Sequence, residues 1–233
     1  MACLSHPTLI RANRKFAQFK VYEKLLIELV KKAYKAGLIK GERVAMDSSF
    51  IKTYSGKEEV GSGGWNGHKE SFGFKLHALV DAQIGCLIAL IVTDGLVHDS
   101  QLAIPLLKKA RPWLKKAGYV LADKGYDWVD IVEYIAKSLK AKAGIPIRDM
   151  VTTKQGRKSG NYLNWKLKAK GRTVKKSILN LRTEVERFFS TVKRTFQLGR
   201  EKTRGIGAFI ENTYLACICC MLRKLWSFGI TQF

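Results

Sequence analysis

Residues 72–93 read FGFKLHALV-DAQIG-CLIALIVT, and this stretch decides how the chain folds. Its first nine residues alternate between apolar and small or polar positions, its middle five are turn formers, and its last eight run apolar. Alternation with period two, a short turn and a second apolar run make a β-hairpin. Upstream, RVAMDSSFI (43–51) is a short strand with Asp47 near its end. Downstream, HDSQLAIPLLKK (98–109) opens a helix with Asp99 or Ser100 as its expected N-cap. GYVLAD (118–123) is a further strand, 127–140 a second helix and KAGIPIR (142–148) a fifth, short strand. The order β-β-β-α-β-α-β-α is an α/β layout in which helices cover one sheet, and parallel neighbours have their crossovers where they need them.

Ahead of this unit, residues 21–36 place Leu25, Leu26, Leu29, Val30 and Ala33 at helical spacing, and Gly37 supplies the stop. Residues 52–71 are polar and Gly-rich (GSGGWNG at 61–67) and read as a mobile loop. No strand–glycine loop–helix with G-K-[ST] supports a nucleotide-binding phosphate loop. The expected division is a short helical N-terminal segment (1–42), a catalytic-sized unit (43–226) with a basic insert at about 149–176, and a tail (227–233).

The chain has 233 residues, enough for one sizeable core, and its 46% hydrophobic content fits a globular protein. Lys and Arg number 42 against 19 Asp and Glu, a formal charge of +23. A polyanionic partner explains such an excess better than solubility does, and nucleic acid is favoured over a ribosome-like or membrane-surface role. Residues 151–204 hold sixteen of the cations and three acids, with Arg157 and Lys158 in a basic block interleaved by Tyr162 and Trp165. Such a block neutralises phosphates while an aromatic packs on a sugar or base; the plainer reading is a solvated loop. Five cysteines without C-x-x-C spacing suggest a reducing cytoplasm, and Cys217, Cys219 and Cys220 read as small core residues of an apolar helix. No signal peptide is expected, and the apolar runs read as too short or interrupted to span a bilayer. No membrane partner is expected.

Three carboxylates stand out. Asp47 and Asp123 each follow an apolar, β-favouring run, and Glu186 sits on a basic amphipathic segment. Hard divalent ions such as Mg²⁺ want carboxylate oxygens, and two ions held together drive phosphoryl transfer. In residues 176–197, Ile178, Leu181, Val185, Phe188, Phe189, Val192 and Phe196 form one helical face. At about 100° per residue, Arg182, Glu186 and Lys193 make one polar stripe bordering that face, and Glu184 falls on the far border. The stripe favours Glu186 as the third acid; the competing reading is an ordinary Arg182–Glu186 pair.

Arg182, three residues, Glu186, six residues and Lys193 resemble the acidic-helix signature of DDE transposases from bacterial and archaeal insertion sequences. MDSSF (46–50), GLVHDSQLAIPLL (95–107) and VLADKGYD (120–127) resemble that family's other landmarks in order, so the similarity runs from about 21 to 226. The resemblance implies an RNase H-like fold, a mixed five-stranded sheet flanked by helices, with Asp47, Asp123 and Glu186 as catalytic and metal-binding residues. It implies two Mg²⁺ (or Mn²⁺) ions, and DNA partners: the element's terminal inverted repeats and target DNA. It also implies a homodimer in a synaptic complex and a cytoplasmic, nucleoid-associated location. Arg182, Lys193 and Lys124, with Arg157, Lys158 and Trp165, make the expected DNA-binding set. Two departures stand against the pattern. Leu179 occupies the place of the family's tyrosine, and only about 42 residues precede the first strand. They keep open a catalytically impaired, truncated remnant that binds DNA; a nuclease or resolvase of the same fold is a third reading. His98, Asp99 and Asp81 are read as capping or turn residues.

Overall fold

A computed structural model describes residues 5–54, 56, 64–67, 69–146, 174–200 and 204–230. Helices α1 (His6–Gln18) and α2 (Val21–Lys35) lead into strand β1 (Arg43–Lys52). The two-residue β2 (Trp65–Asn66), β3 (Ser71–Asp81) and β4 (Leu87–Asp94) follow, then α3 (Asp99–Ala110), β5 (Tyr119–Leu121), α4 (Val129–Ser138) and β6 (Lys142–Gly144). A single helical turn α5 (Lys176–Leu179), α6 (Thr183–Arg194) and α7 (Gly205–Ser227) complete the described chain.

The expected hairpin is β3–β4, antiparallel from Phe74 opposite Asp94. Strand β1 pairs antiparallel with β3 along nine positions and parallel with β5, which pairs parallel with β6. The central order is therefore β4-β3-β1-β5-β6, the five strands expected. Among the described residues the sheet holds six strands, because β2 forms inside the region read as loop, where Trp65 pairs with Phe72. Both of its residues lie in the Gly-rich run, whose composition hid them.

Period two sorts the strand residues onto two helical layers. Phe74 stacks on Phe209 of α7, ring centroids 4.9 Å apart, while its neighbour Lys75 pairs with Asp99 of α3 at 3.0 Å. One face thus carries α6 and α7, the other α3. On β1, Asp47 and Ser49 share the α6 face, opposite Ala78 and Leu76, and Ser48 points with His77 to the α3 side. Buried aliphatics of every long element form one core.

Four local expectations are corrected. Residues 176–197 are not one helix: a 3₁₀ turn at Asn180–Arg182 interrupts them, and Thr183 Oγ1 donates to the Asn180 carbonyl at 2.9 Å. Leu25 is 45% exposed, since α2 packs only its Leu26, Leu29, Val30 and Ala33 side inward. The cap of α3 is His98, whose Nδ1 accepts from the Ser100 amide, displacing Asp99 and Ser100 from that role. Cys219 is exposed, whereas Cys217 and Cys220 are buried as expected. In addition α7, at 23 residues, is long and apolar enough by composition to cross a membrane, contrary to the sequence reading; in the fold it packs against α2. Gly37, at φ +75°, ends α2 as expected.

Candidate active site

The parallel ladder of β1 and β5 ends at Ala45 opposite Leu121. Asp47 lies two residues beyond Ala45 on β1, and Asp123 two residues beyond Leu121, where the chain leaves β5. The electrostatics agree. Burial pushes the Asp47 carboxyl up to about 6, and the charges of Asp123 and Asp99 push the same way. The Ser48 amide, which donates to Asp47 Oδ1 at 2.8 Å, and the Arg182 charge oppose that rise. Asp123 caps the 3₁₀ turn Lys124–Tyr126 by accepting from the Gly125 amide at 2.7 Å. Here a β-strand delivers an aspartate, and the turn after it fixes the carboxylate's direction.

Helix α6 lies over β1 and β3 on the face that Asp47 presents. Lys193 fastens it there: its Nζ donates to Ser49 Oγ at 2.7 Å and to the Phe50 carbonyl at 3.1 Å. Burial, then the nearby Lys69 charge, lowers the Lys193 pKa. Arg182 stands close enough for Asp47 to feel its charge, and it also pairs with Glu186 at 3.7 Å. Glu186 keeps a 54% exposed side chain. Glu184 points away from this flank, next to Gly85 and in an ion pair with Arg187.

The structure therefore brings Asp47 and Asp123 within electrostatic reach of each other, with Arg182 also in reach of Asp47 and Lys193 bonded to β1. Among the described residues no three His, Cys, Asp or Glu side chains converge closely enough to hold a metal ion, so Glu186 is not gathered with the aspartates. Lys124 is an exposed neighbour of Asp123. Arg157, Lys158 and Trp165, like Tyr162, lie outside the described residues.

Behind the carboxylates sits a polar group that the sequence reading did not single out. Tyr126 is buried, and burial, then the charges of Asp47, Asp99 and Asp123, hold its phenol well above its ordinary pKa. His77, also buried, shares a 2.9 Å hydrogen bond between Nε2 and Thr93 Oγ1, and burial lowers it to about 4. The signal for Tyr126 was its place in ADKGY, three residues after the aspartate. Asp81, read as a turn former, accepts from the amides of Lys40, Gly41 and Gln83.

Residues 39–222 match the family described as Transposase DDE domain. The chain belongs to that family. It is also similar to a Brucella ovis protein provisionally named a transposase for insertion sequence element IS6501: 32% identity over 152 residues, covering 64% of this chain and 98% of the relative. The matched region takes in both aspartates and α6, so the candidate site lies wholly inside the transposase domain.

Proposed function

We propose that this protein catalyses metal-dependent DNA strand cleavage and strand transfer in the transposition of an insertion sequence, with Asp47, Asp123 and Glu186 as its catalytic carboxylates. The observation that supports the reading is that Asp47 on β1 and Asp123, two residues beyond the parallel strand β5, lie near enough for their charges to interact in a transposase-family chain. We read the β4-β3-β1-β5-β6 sheet with helices on both faces as RNase H-like.

The donor set suits a hard divalent cation. Two carboxylates, one of them largely withdrawn from water, repel each other, and a cation between them relieves both penalties. Mg²⁺ or Mn²⁺ ions, two in number, would activate a water or 3′-hydroxyl and stabilise the leaving oxygen. Asp47 and Asp123 hold their oxygens ready through the Ser48 and Gly125 amides. Glu186 supplies the third carboxylate once Arg182 exchanges it for a DNA phosphate, a swap that a 3.7 Å, half-exposed pair permits at little cost. Arg182, Lys193 and Lys124, with Arg157, Lys158 and Trp165, contact the DNA. Two copies act together on two element ends.

The test uses a plasmid bearing the inverted repeats that flank the gene. Wild-type protein nicks it at the element ends with Mg²⁺ or Mn²⁺ and joins the 3′ ends to target DNA. Asp47→Ala binds the same DNA without nicking it. Full Mg²⁺-dependent activity in Asp47→Ala would remove the metal role. The pairing of Glu186 with Arg182, away from the aspartates, favours a second reading, a DNA-binding remnant. Tight binding by the wild type without nicking under either metal decides for that remnant.

A further inference from the structure

On the flank away from Glu186, α6 shares a cavity of about 460 Å³ with α7. The spacing of the sequence builds it. Glu184, Arg187, Phe188 and Thr191 stand at i, i+3, i+4 and i+7 on α6, so they form one stripe. Cys220, Arg223, Lys224 and Ser227 repeat that spacing on α7 and turn to the same space. Phe188 and Cys220 are buried and make its floor, whereas Arg187, Arg223 and Ser227 are exposed at its mouth. The turn between β3 and β4 closes one end. A Cβ on Gly85 would come within 2.9 Å of Glu184 Oε2 and 4.0 Å of Lys224 Nζ, and Lys224 Nζ donates to the Ile84 carbonyl at 2.6 Å. The charge inside is lopsided. Three cations face one carboxylate, and Glu184 is already paired with Arg187. Among the described residues Arg223 and Lys224 have no carboxylate partner. Thr191 and Ser227 donate their hydroxyls to carbonyls of their own helices, which leaves the cations as the donors that meet a ligand. A recess lined by one sign of charge concentrates the opposite ion.

We infer that the cavity between α6 and α7 is a second DNA-backbone site, in which Arg187, Arg223 and Lys224 hold one phosphate of a duplex. This rests on the DNA-binding reading proposed above. The position of the cavity selects a backbone phosphate over a free anion. Only α6 separates it from the Arg182, Glu186 and Lys193 stripe, and a helix with its side chains is about 10–12 Å across. The major groove of B-DNA is about 12 Å wide, so a duplex that offers one phosphate to the stripe can offer another to the cavity. The outward face of α6 between the two carries exposed Ser190 and Arg194 and no acid, so nothing on it repels the strand. Arg187, with a 73% exposed side chain, can turn from Glu184 to the phosphate, while Glu184 stays against Gly85.

The experiment measures binding of the full chain to a duplex carrying the flanking inverted repeats, by fluorescence anisotropy at several salt concentrations. Wild type is compared with the double variant Arg187→Gln, Arg223→Gln, and circular dichroism checks that both are folded. Each phosphate neutralised adds roughly 0.9 to the slope of log K against log salt. Because the two arginines share one phosphate, the double variant should lower the slope by about one. A fall of about two would mean that they meet separate phosphates on an open surface, and overturns the site. Ethylation of single phosphates locates the contact: one position that blocks the wild type should cease to matter in the double variant, while positions lost in Arg182→Gln still block it. An unchanged slope and ethylation pattern in the double variant, with wild type binding, overturn the cavity site alone. Should the double variant not fold, Ser227→Asp sets a negative charge at the mouth, and a wild-type slope there overturns the site equally. Inorganic phosphate that raises the melting temperature of wild type but not of the double variant, with equal slopes on DNA, marks a free-anion site and overturns the DNA assignment. No salt-dependent DNA binding by the wild type overturns the DNA reading and the cavity site together.

Discussion

At the scale of single residues, Asp47 and His77 titrate in opposite senses from adjacent strands. Asp47 is raised from 3.8 to about 6, so the folded state disfavours its charge. That penalty is absent well below pH 3.8, grows as pH rises towards 6 and is complete above it. His77 is lowered from 6.5 to about 4, so its penalty is absent above 6.5 and grows as pH falls towards 4. Each amounts to about 3 kcal/mol at its limit. Between pH 4 and pH 8 the pH dependences of the two nearly cancel in the wild type, and changing one exposes the other. Asp47→Asn in EDTA should be more stable than wild type by about 3 kcal/mol at pH 8, with the gain shrinking to under about 1 kcal/mol at pH 4. Urea denaturation across that range checks it, and a gain independent of pH would sink the argument. On the proposed metal role, Mg²⁺-dependent cleavage should fall as pH drops through about 6, where Asp47 takes up its proton.

At the scale of elements, α6 divides its work between two edges. Val185, Phe188, Phe189 and Val192 bury one face against β1 and β3, so Phe188→Ala should cost about 3–5 kcal/mol and show as lost thermal stability. The two glutamates test the edges. Glu186→Gln should abolish cleavage while changing stability by less than about 0.5 kcal/mol, because its side chain is half exposed. Glu184→Gln should leave cleavage intact, since Glu184 lies on the far border beside Gly85. Cleavage and melting of the two purified variants decide it; loss of cleavage in Glu184→Gln alone would reverse the choice. This division was legible in the sequence because a helical wheel needs only local periodicity. The β3–β4 hairpin was legible for the same reason. What escaped depended on contacts between distant segments: the exposure of Leu25 is set by which side of α2 meets α7.

At the scale of the whole molecule, a charge of +23 makes DNA affinity steeply dependent on salt. Each phosphate neutralised adds roughly 0.9 to the magnitude of the slope of log K against log salt. Arg182 and Lys193 should contribute to that slope in different degrees, because the fold engages them differently. Arg182 holds only a 3.7 Å, half-exposed pair with Glu186, so it can turn wholly to a phosphate. The Lys193 ammonium has three donors and already gives two to Ser49 and Phe50. On the proposed DNA role its charge still reaches a phosphate, but removing it also unfastens α6 from β1. Arg182→Gln should therefore lower the slope by about one with little change in stability. Lys193→Gln should lower the slope by no more than that and, unlike Arg182→Gln, reduce stability by about 1 kcal/mol. Fluorescence anisotropy with a duplex at several salt concentrations, beside melting curves, separates the two. Equal stability in both variants would mean that the bonds from Lys193 to β1 hold nothing in place, and that α6 stays over the aspartates by its apolar face alone.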